Sequence, residues 1–337
     1  MSRTGEEPKP AWSVVPEAVR RLTAETLGSP VRRAMRVWGG YGPTPTYRLR
    51  LADGRRAFFK GVWPRSDEFP RLAIAQEELV YRRIGHLIVP WAPAFYGSFH
   101  VDGWHVLLLE DLGPKSAPPW TPTLARTVTR AFADFHRTTL GIDLPAWLPS
   151  AAEHMAWDGQ AWKRMLDAGK LNAIAAMAGD AAGDALRWLE AALPTLAEAG
   201  GVLTEAGKPH ALLHMDLRSD NLRWRDGRLR MFDWPVACAG PTEYDIAAYA
   251  QGVTAEGGPE AADIMSWYAE GVPVRPEVLD AAVTALAGFF AERAPQPELP
   301  GLPRLRRFQR RQLQVTLPWA AQRLHLPEPL WVRRFSV

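Results

Sequence analysis

The chain has 337 residues, 47% hydrophobic and 23% charged, with a formal net charge of +3. That length suffices for a two-lobed enzyme with a large buried core, and the composition excludes a disordered or fibrous chain. The single cysteine, Cys238, excludes an internal disulfide framework and suits a reducing compartment.

In chain order, residues 1–25 read as a partly loose, partly helical extension with no basic-apolar-small leader pattern. Val37-Trp38-Gly39-Gly40-Tyr41-Gly42 follows, then the alternating Tyr47-Arg48-Leu49-Arg50-Leu51, an Asp53-Gly54 turn, and Arg56-Ala57-Phe58-Phe59-Lys60. This is the pattern of a glycine-rich turn and a β-hairpin carrying Lys60 near a strand end. Glycines let backbone N–H groups approach phosphate oxygens without Cβ interference, so Gly39, Gly40 and Gly42 are candidate phosphate contacts. Residues 70–84 have helical periodicity, with Leu72, Ile74, Leu79, Val80 and Ile84 on recurring faces. Glu77, with Glu78 as the alternative, is the helix carboxylate expected to hold Lys60.

Trp104-His105-Val106-Leu107-Leu108-Leu109 has the pattern of a buried strand ending in Glu110-Asp111-Leu112-Gly113. It suggests a hinge whose backbone groups at Glu110 and Leu112 pair with an adenine edge. Thr121-Pro122 supplies an N-cap and a first-turn proline, opening a mainly helical remainder.

The most informative stretch is His214-Met215-Asp216-Leu217-Arg218-Ser219-Asp220-Asn221, followed by Met231-Phe232-Asp233-Trp234. His214, Asp216 and Asn221 stand in the H-x-D-x-x-x-x-N order that Mg²⁺-dependent phosphoryl transfer uses. Only Asn172 and Asn221 occur in the whole chain, so an asparagine at the required position carries weight. Asp216 is the expected hydroxyl-orienting base and His214 the expected brace of the loop. Asn221 and Asp233 offer the hard oxygens that Mg²⁺ prefers. Between the flanking apolar runs, Arg225-Asp226-Gly227-Arg228 reads as a hairpin turn.

Together these elements resemble the aminoglycoside phosphotransferase and choline kinase group of small-molecule kinases over about residues 30–255. The match includes Ala133-Asp134-Phe135-His136 and Gly240-Pro241-Thr242-Glu243-Tyr244-Asp245-Ile246-Ala247. The resemblance implies an α+β, bilobal protein-kinase-like fold. An antiparallel sheet lobe with one main helix (1–112) would precede a larger helical lobe (113–337) that carries the catalytic loop and acceptor pocket. It also implies ATP, with GTP as the alternative, and Mg²⁺ as cofactors, and Asp245 as the carboxylate bracing the catalytic loop. An aminoglycoside-type antibiotic or amino sugar is the family-level acceptor; macrolide, sugar, choline and homoserine are its rivals. A catalytically inactive nucleotide-binding scaffold is the reading from another class.

Two residues depart from the pattern. Met215 replaces the small residue usual between His and Asp. Trp234-Pro235 stands where a protein kinase has Phe-Gly, which points away from a protein substrate. The best apolar helix, 281–290, is far short of the roughly 20 residues a bilayer needs. A cytoplasmic protein, monomer or homodimer, is expected, with neither membrane nor nucleic acid as partner. Arg304, Arg306, Arg307, Arg310 and Arg311 interleave with apolar residues and read as the solvated face of an amphipathic helix.

Overall fold

The computed structural model describes residues 9–38, 44–167, 169–299 and 301–336. By packing, the chain divides into two compact units: Met1–Ser116 with Asp220–Val236 and Leu299–Pro303, and Ala117–Ser219 with Ala237–Glu298 and Arg304–Val337.

In the first unit, strands β1 (Val31–Arg36), β2 (Thr46–Leu51), β3 (Arg56–Val62), β4 (Phe95–Val101) and β5 (Trp104–Glu110) form an antiparallel sheet in the order β1-β2-β3-β5-β4. Successive side chains alternate faces. Tyr47, Leu49 and Leu51 therefore share one face with Ala57, Phe59, Trp104, Val106 and Leu108. Helix α1 (Glu17–Leu27) covers that face through Val19 and Leu27 and stops at Gly28, whose φ of 66° suits a left-handed helix end. The described part of the N-terminal extension, from residue 9 onward, is thus a structural part of the sheet unit.

The same alternation turns Lys60 and Val62 to the opposite face, where helix α2 (Glu68–Ile88) lies. Its buried residues Ile74, Glu77, Tyr81, Ile84 and Ile88 recur every three or four positions, one stripe of a helix. Each buried aliphatic or aromatic member contributes about 1.5–3 kcal/mol of apolar burial. Together they fix the rotation of α2, and with it the direction of Glu77, the one carboxylate in the stripe.

The hairpin of β7 (Leu222–Arg225) and β8 (Arg228–Met231) turns through Asp226 and Gly227, both at positive φ, as its sequence foretold. It belongs to the sheet unit rather than to a helical half beginning at residue 113. Directional bonds explain why: Arg230 Nη2 donates to Glu110 Oε2 (2.7 Å), Trp224 N to Ser116 Oγ (2.8 Å), and Met231 N to Trp91 O (2.6 Å).

The second unit is helical: α3 (Pro122–Thr139), α4 (Ala151–Gly159), α5 (Ala161–Asp167), α6 (Leu171–Ala176), α7 (Ala182–Gly201), α8 (Thr242–Ala255), α9 (Ala261–Ala269), α10 (Pro276–Arg293) and α11 (Leu305–Arg323). As expected, Thr121 caps α3, its Oγ1 accepting from Leu124 N at 3.1 Å. Helix α10 is buried on nearly every side and forms the centre, packed by α4, α7, α8 and α11. A two-stranded ribbon of β6 (Ala211–Leu213) and β9 (Cys238–Gly240) leads into the segment around Asp216 and into the one around Asp245. β9 ends at Gly240, where a Cβ would lie 2.1 Å from that of Ala151, so only glycine fits.

In α11 the expected solvated arginine face is only partly right. Arg304, Arg307 and Arg311 are exposed, but Arg306 is buried and donates to Pro297 O, Gln309 Oε1 and Gln296 Oε1. Three acceptors replace the water it loses. Among the described residues, no helix is long and apolar enough to cross a membrane.

Candidate active site

In the sheet unit, Lys60 Nζ lies 2.5 Å from Glu77 Oε2 and 2.5 Å from Asp233 Oδ1. Strand β3 supplies the ammonium, helix α2 one carboxylate, and the segment after β8 the other. Burial alone would depress the lysine, but the charges of Asp233 and Glu77 outweigh it and hold its pKa above the usual value. Glu77 shifts upward, first because it is buried and further because Asp233 is a like charge beside it; Lys60 opposes both. Two carboxylates around one ammonium leave a net negative cluster, ready for an added cation. Of the two helix candidates, Glu77 is the one that meets Lys60, while Glu78 pairs with His105 (2.7 Å). One helical position is 100° of rotation, which separates the two fates.

Asp233 has a φ of 72°, a left-handed conformation unusual for a non-glycine residue. The strain turns the carboxylate out of the β8 line toward Lys60. Its side chain keeps 35% of its exposure, so it remains reachable, whereas Glu77 has none. Trp234 N donates to Glu77 Oε1 (3.4 Å), securing the same turn from the other side. Phe232 N donates to Asn221 O at 3.0 Å, so the buried Asn221 is bonded to the residue preceding Asp233. The hairpin thus brings both expected metal ligands to one end. An amide oxygen and a partly exposed carboxylate oxygen fit Mg²⁺, which takes oxygen donors and retains several waters.

In the helical unit, Asp245 lies in the first turn of α8 and is fully buried. Its Oδ2 accepts from His214 N (2.7 Å) and its Oδ1 from Met215 N (2.9 Å). His136 of α3 adds a contact at 3.2 Å to Oδ2, and Tyr268 of α9 closes the chain at 2.5 Å to His136 Nδ1. One carboxylate therefore grips two successive backbone amides of the loop. His214 is buried, and its Nδ1 accepts from Asp216 N at 3.3 Å, a bracing bond within the loop. Asp216 is about one-third exposed and meets Arg218 Nη1 at 2.5 Å.

Met215 has a φ of 66°. The left-handed turn between His214 and Asp216 explains why a small residue suits this position; methionine adopts it at a cost of about 1 kcal/mol or more. The two hydrogen bonds that Asp245 accepts, from His214 N and from Met215 N itself, hold that turn and offset the cost.

Gly39, Gly40 and Gly42 lie outside the described residues. At the expected hinge, the Glu110 N–H is already spent on Ala94 O (2.8 Å), and its carboxylate accepts from Arg230 and Ala94 N. The Glu110 amide is therefore not a free donor for an adenine edge. Leu112 is buried. Sequence reasoning gave no role to Arg218, although its position two residues after Asp216 was a usable signal. Glu256, which the sequence offers only as one of several candidate acceptor-pocket carboxylates, accepts from Ser219 Oγ (2.5 Å) and Trp120 Nε1 (2.7 Å).

A strand lysine fixed by a helix glutamate, a hairpin ending in a metal-competent aspartate, and a carboxylate-braced H-x-D loop define a protein-kinase-like phosphotransferase. The chain belongs to the phosphotransferase enzyme family (APH), whose model matches residues 34–275. It is accordingly an enzyme of the small-molecule kinase kind. Among solved structures it is similar to a spectinomycin phosphotransferase in complex with ADP and spectinomycin (12% identity, TM-score 0.61, covering 92% of this chain and 99% of that one). It is also similar to a choline kinase from Streptococcus pneumoniae (13%, 0.57, 92% and 98%). A third likeness is to a macrolide 2'-phosphotransferase from Brachybacterium faecium (17%, 0.52, 93% and 99%). At these identities the likeness carries the fold alone. No curated protein sequence matches the chain.

Proposed function

We propose that the protein transfers the γ-phosphoryl group of Mg·ATP to a hydroxyl of a small molecule. The observation that carries this reading is the pairing of Lys60 with both Glu77 and Asp233. A purely structural lysine needs one partner. Here the second carboxylate is about one-third exposed and set at the end of the hairpin that follows Asn221. Asp233 and Asn221 would hold Mg²⁺, and Lys60, kept in place by Glu77, would neutralise the phosphates. Bound Mg²⁺ supplies charge neutralisation on the phosphate oxygens. With the metal held there, Asp233 would serve as its ligand, and an N–H of the Lys60 ammonium would be left to donate a hydrogen bond to a phosphate oxygen.

Asp216 is assigned the acceptor hydroxyl. It orients the oxygen and receives its proton late, because a loose transition state needs little deprotonation at the start. Arg218 fixes the carboxylate by its 2.5 Å contact, and His214 braces the backbone without joining the chemistry. A scaffold without activity is disfavoured: it has no use for a strained loop presenting a partly exposed aspartate.

The acceptor is assigned to the helical unit, with an aminoglycoside-type amino sugar as the first candidate. One observation favours a second reading, an acceptor of low positive charge such as a sugar or macrolide. Several of the carboxylates that a polycation would require are committed: Glu270 to Arg126 and Arg130, Asp158 to Tyr244 with Arg293 nearby, Glu153 to the capping box of α4; Glu260 and Asp263 are exposed. The side chain of Asp167 lies outside the described residues. A recess beside the loop, lined by Trp120, Arg218, Tyr249, Glu256 and Phe308, offers rings and a single acid.

The test is ADP formation from Mg·ATP with a panel of aminoglycosides, neutral sugars, macrolides and choline. Turnover strictly dependent on one acceptor class supports the proposal and ranks its two forms. Tight Mg·ATP binding with no acceptor-dependent turnover across the panel would favour the scaffold.

A further inference from the structure

On the face of the sheet unit covered by α2, three side chains outside the phosphotransfer machinery converge. His100 of β4 and His105 of β5 are directly opposite across the antiparallel pair. Their rings lie 3.9 Å apart between centroids. Glu78 of α2 reaches down to both, with Oε2 2.7 Å from His105 Nε2 and 3.8 Å from His100 Nε2. The three potential ligand atoms all lie within 4.8 Å of one another.

We propose that Glu78, His100 and His105 form a transition-metal site, best suited to Zn²⁺, that staples α2 to the β4–β5 hairpin. Two imidazoles and a carboxylate are a standard three-ligand zinc set, which leaves a fourth position for water. Imidazole nitrogen selects against Mg²⁺ and Ca²⁺, so the site is chemically distinct from the oxygen donors at Asn221 and Asp233. Bonds of about 2.0–2.1 Å to one ion place ligand atoms about 3.3 Å apart. Small side-chain rotations reach that from the present separations.

The surroundings support ligation. Glu78 Oε1 accepts from Arg82 Nε (2.6 Å) and from Ser98 Oγ, outer-shell bonds of the kind that orient a metal-binding carboxylate. They leave Oε2 for the ion, and they anchor Glu78 against the positive charge of Arg82. Burial and the neighbouring His100 favour the neutral form of the His105 ring, the form a metal needs. Glu78 adjoins Glu77 in α2. Cross-linking the helix here would hold the rotation that presents Glu77 to Lys60.

The test uses the full-length, tag-free protein stripped of metals by chelator, titrated with Zn²⁺ in excess Mg²⁺ so that the oxygen site is occupied. One equivalent should bind with micromolar or tighter affinity and raise the melting temperature. His100 is 68% exposed at its side chain, so His100→Ala should melt like the metal-free wild type. It should lose Zn²⁺ affinity by about thirtyfold or more. His100→Cys, which restores a zinc ligand, should recover most of it. Zn²⁺ binding that is absent in the wild type, or equal in wild type and His100→Ala, would overturn the site.

Discussion

The two halves of the proposed phosphotransfer machinery are held by opposite means. In the sheet unit, charged side chains hold one another: Lys60 is gripped by Glu77 and Asp233, an arrangement that, on the proposed function, opens for an incoming cation and phosphate. In the helical unit, a fully buried carboxylate, Asp245, grips backbone amides, so the loop bearing Asp216 is fixed before any ligand arrives. The difference follows from what each half must do. A nucleotide clamp has to exchange partners, whereas a group that orients a hydroxyl gains most from being immobile.

The largest expected effect tests the second half. Asp216→Asn keeps the shape but removes the proton acceptor. Acceptor-dependent turnover should fall by about a thousandfold, while calorimetric Mg·ATP affinity stays within about twofold. Near-normal turnover would remove Asp216 from its role. Next comes the clamp itself. Asp245→Ala leaves two loop amides and His136 without their shared acceptor in a dry interior. Chemical denaturation should show a loss of about 3 kcal/mol or more. A loss under about 1 kcal/mol would mean that the loop holds its conformation unaided.

The clamp of the sheet unit should respond differently. Glu77→Gln retains an oxygen for Lys60 but removes a charge that burial disfavours. Stability should hold or rise while turnover at subsaturating Mg·ATP drops about tenfold. A parallel loss of both would show that the pair is structural. The smallest effect is Met215→Gly, which relieves a left-handed φ of 66°. The melting transition should shift upward by the equivalent of up to about 1 kcal/mol, with kcat unchanged. Destabilisation would assign the methionine side chain a packing role that outweighs its backbone strain.

The motif residues were legible because phosphoryl transfer dictates their order, and local chemistry dictated the turns. Asp226-Gly227 and Thr121-Pro122 act through their own backbone preferences, so they needed no tertiary information. The choice of Glu77 over Glu78 was favoured by helical phase, yet only the apolar stripe of Ile74, Tyr81, Ile84 and Ile88 fixes it. The membership of the β7–β8 hairpin in the sheet unit was not legible. It rests on Arg230, Trp224 and Met231 meeting partners more than 100 residues earlier in the chain, contacts that leave no local pattern. The buried Arg306 was hidden for a different reason: its acceptors lie only three to ten residues away, but two of them belong to the segment before α11, whose path helical periodicity does not reveal. Glu78 with His100 and His105 escaped notice because its histidines are paired across strands rather than spaced along one.

The account depends most on Asp233 serving as a metal ligand as well as a partner of Lys60. Titrating ATP into wild type and Asp233→Ala by calorimetry, with and without Mg²⁺, tests this directly. The expected result is at least a tenfold loss of affinity in Mg²⁺, equivalent to about 1.4 kcal/mol, and little change without it. Equal affinities in Mg²⁺ would contradict the assignment and leave the Lys60 cluster as an ion pair of the fold.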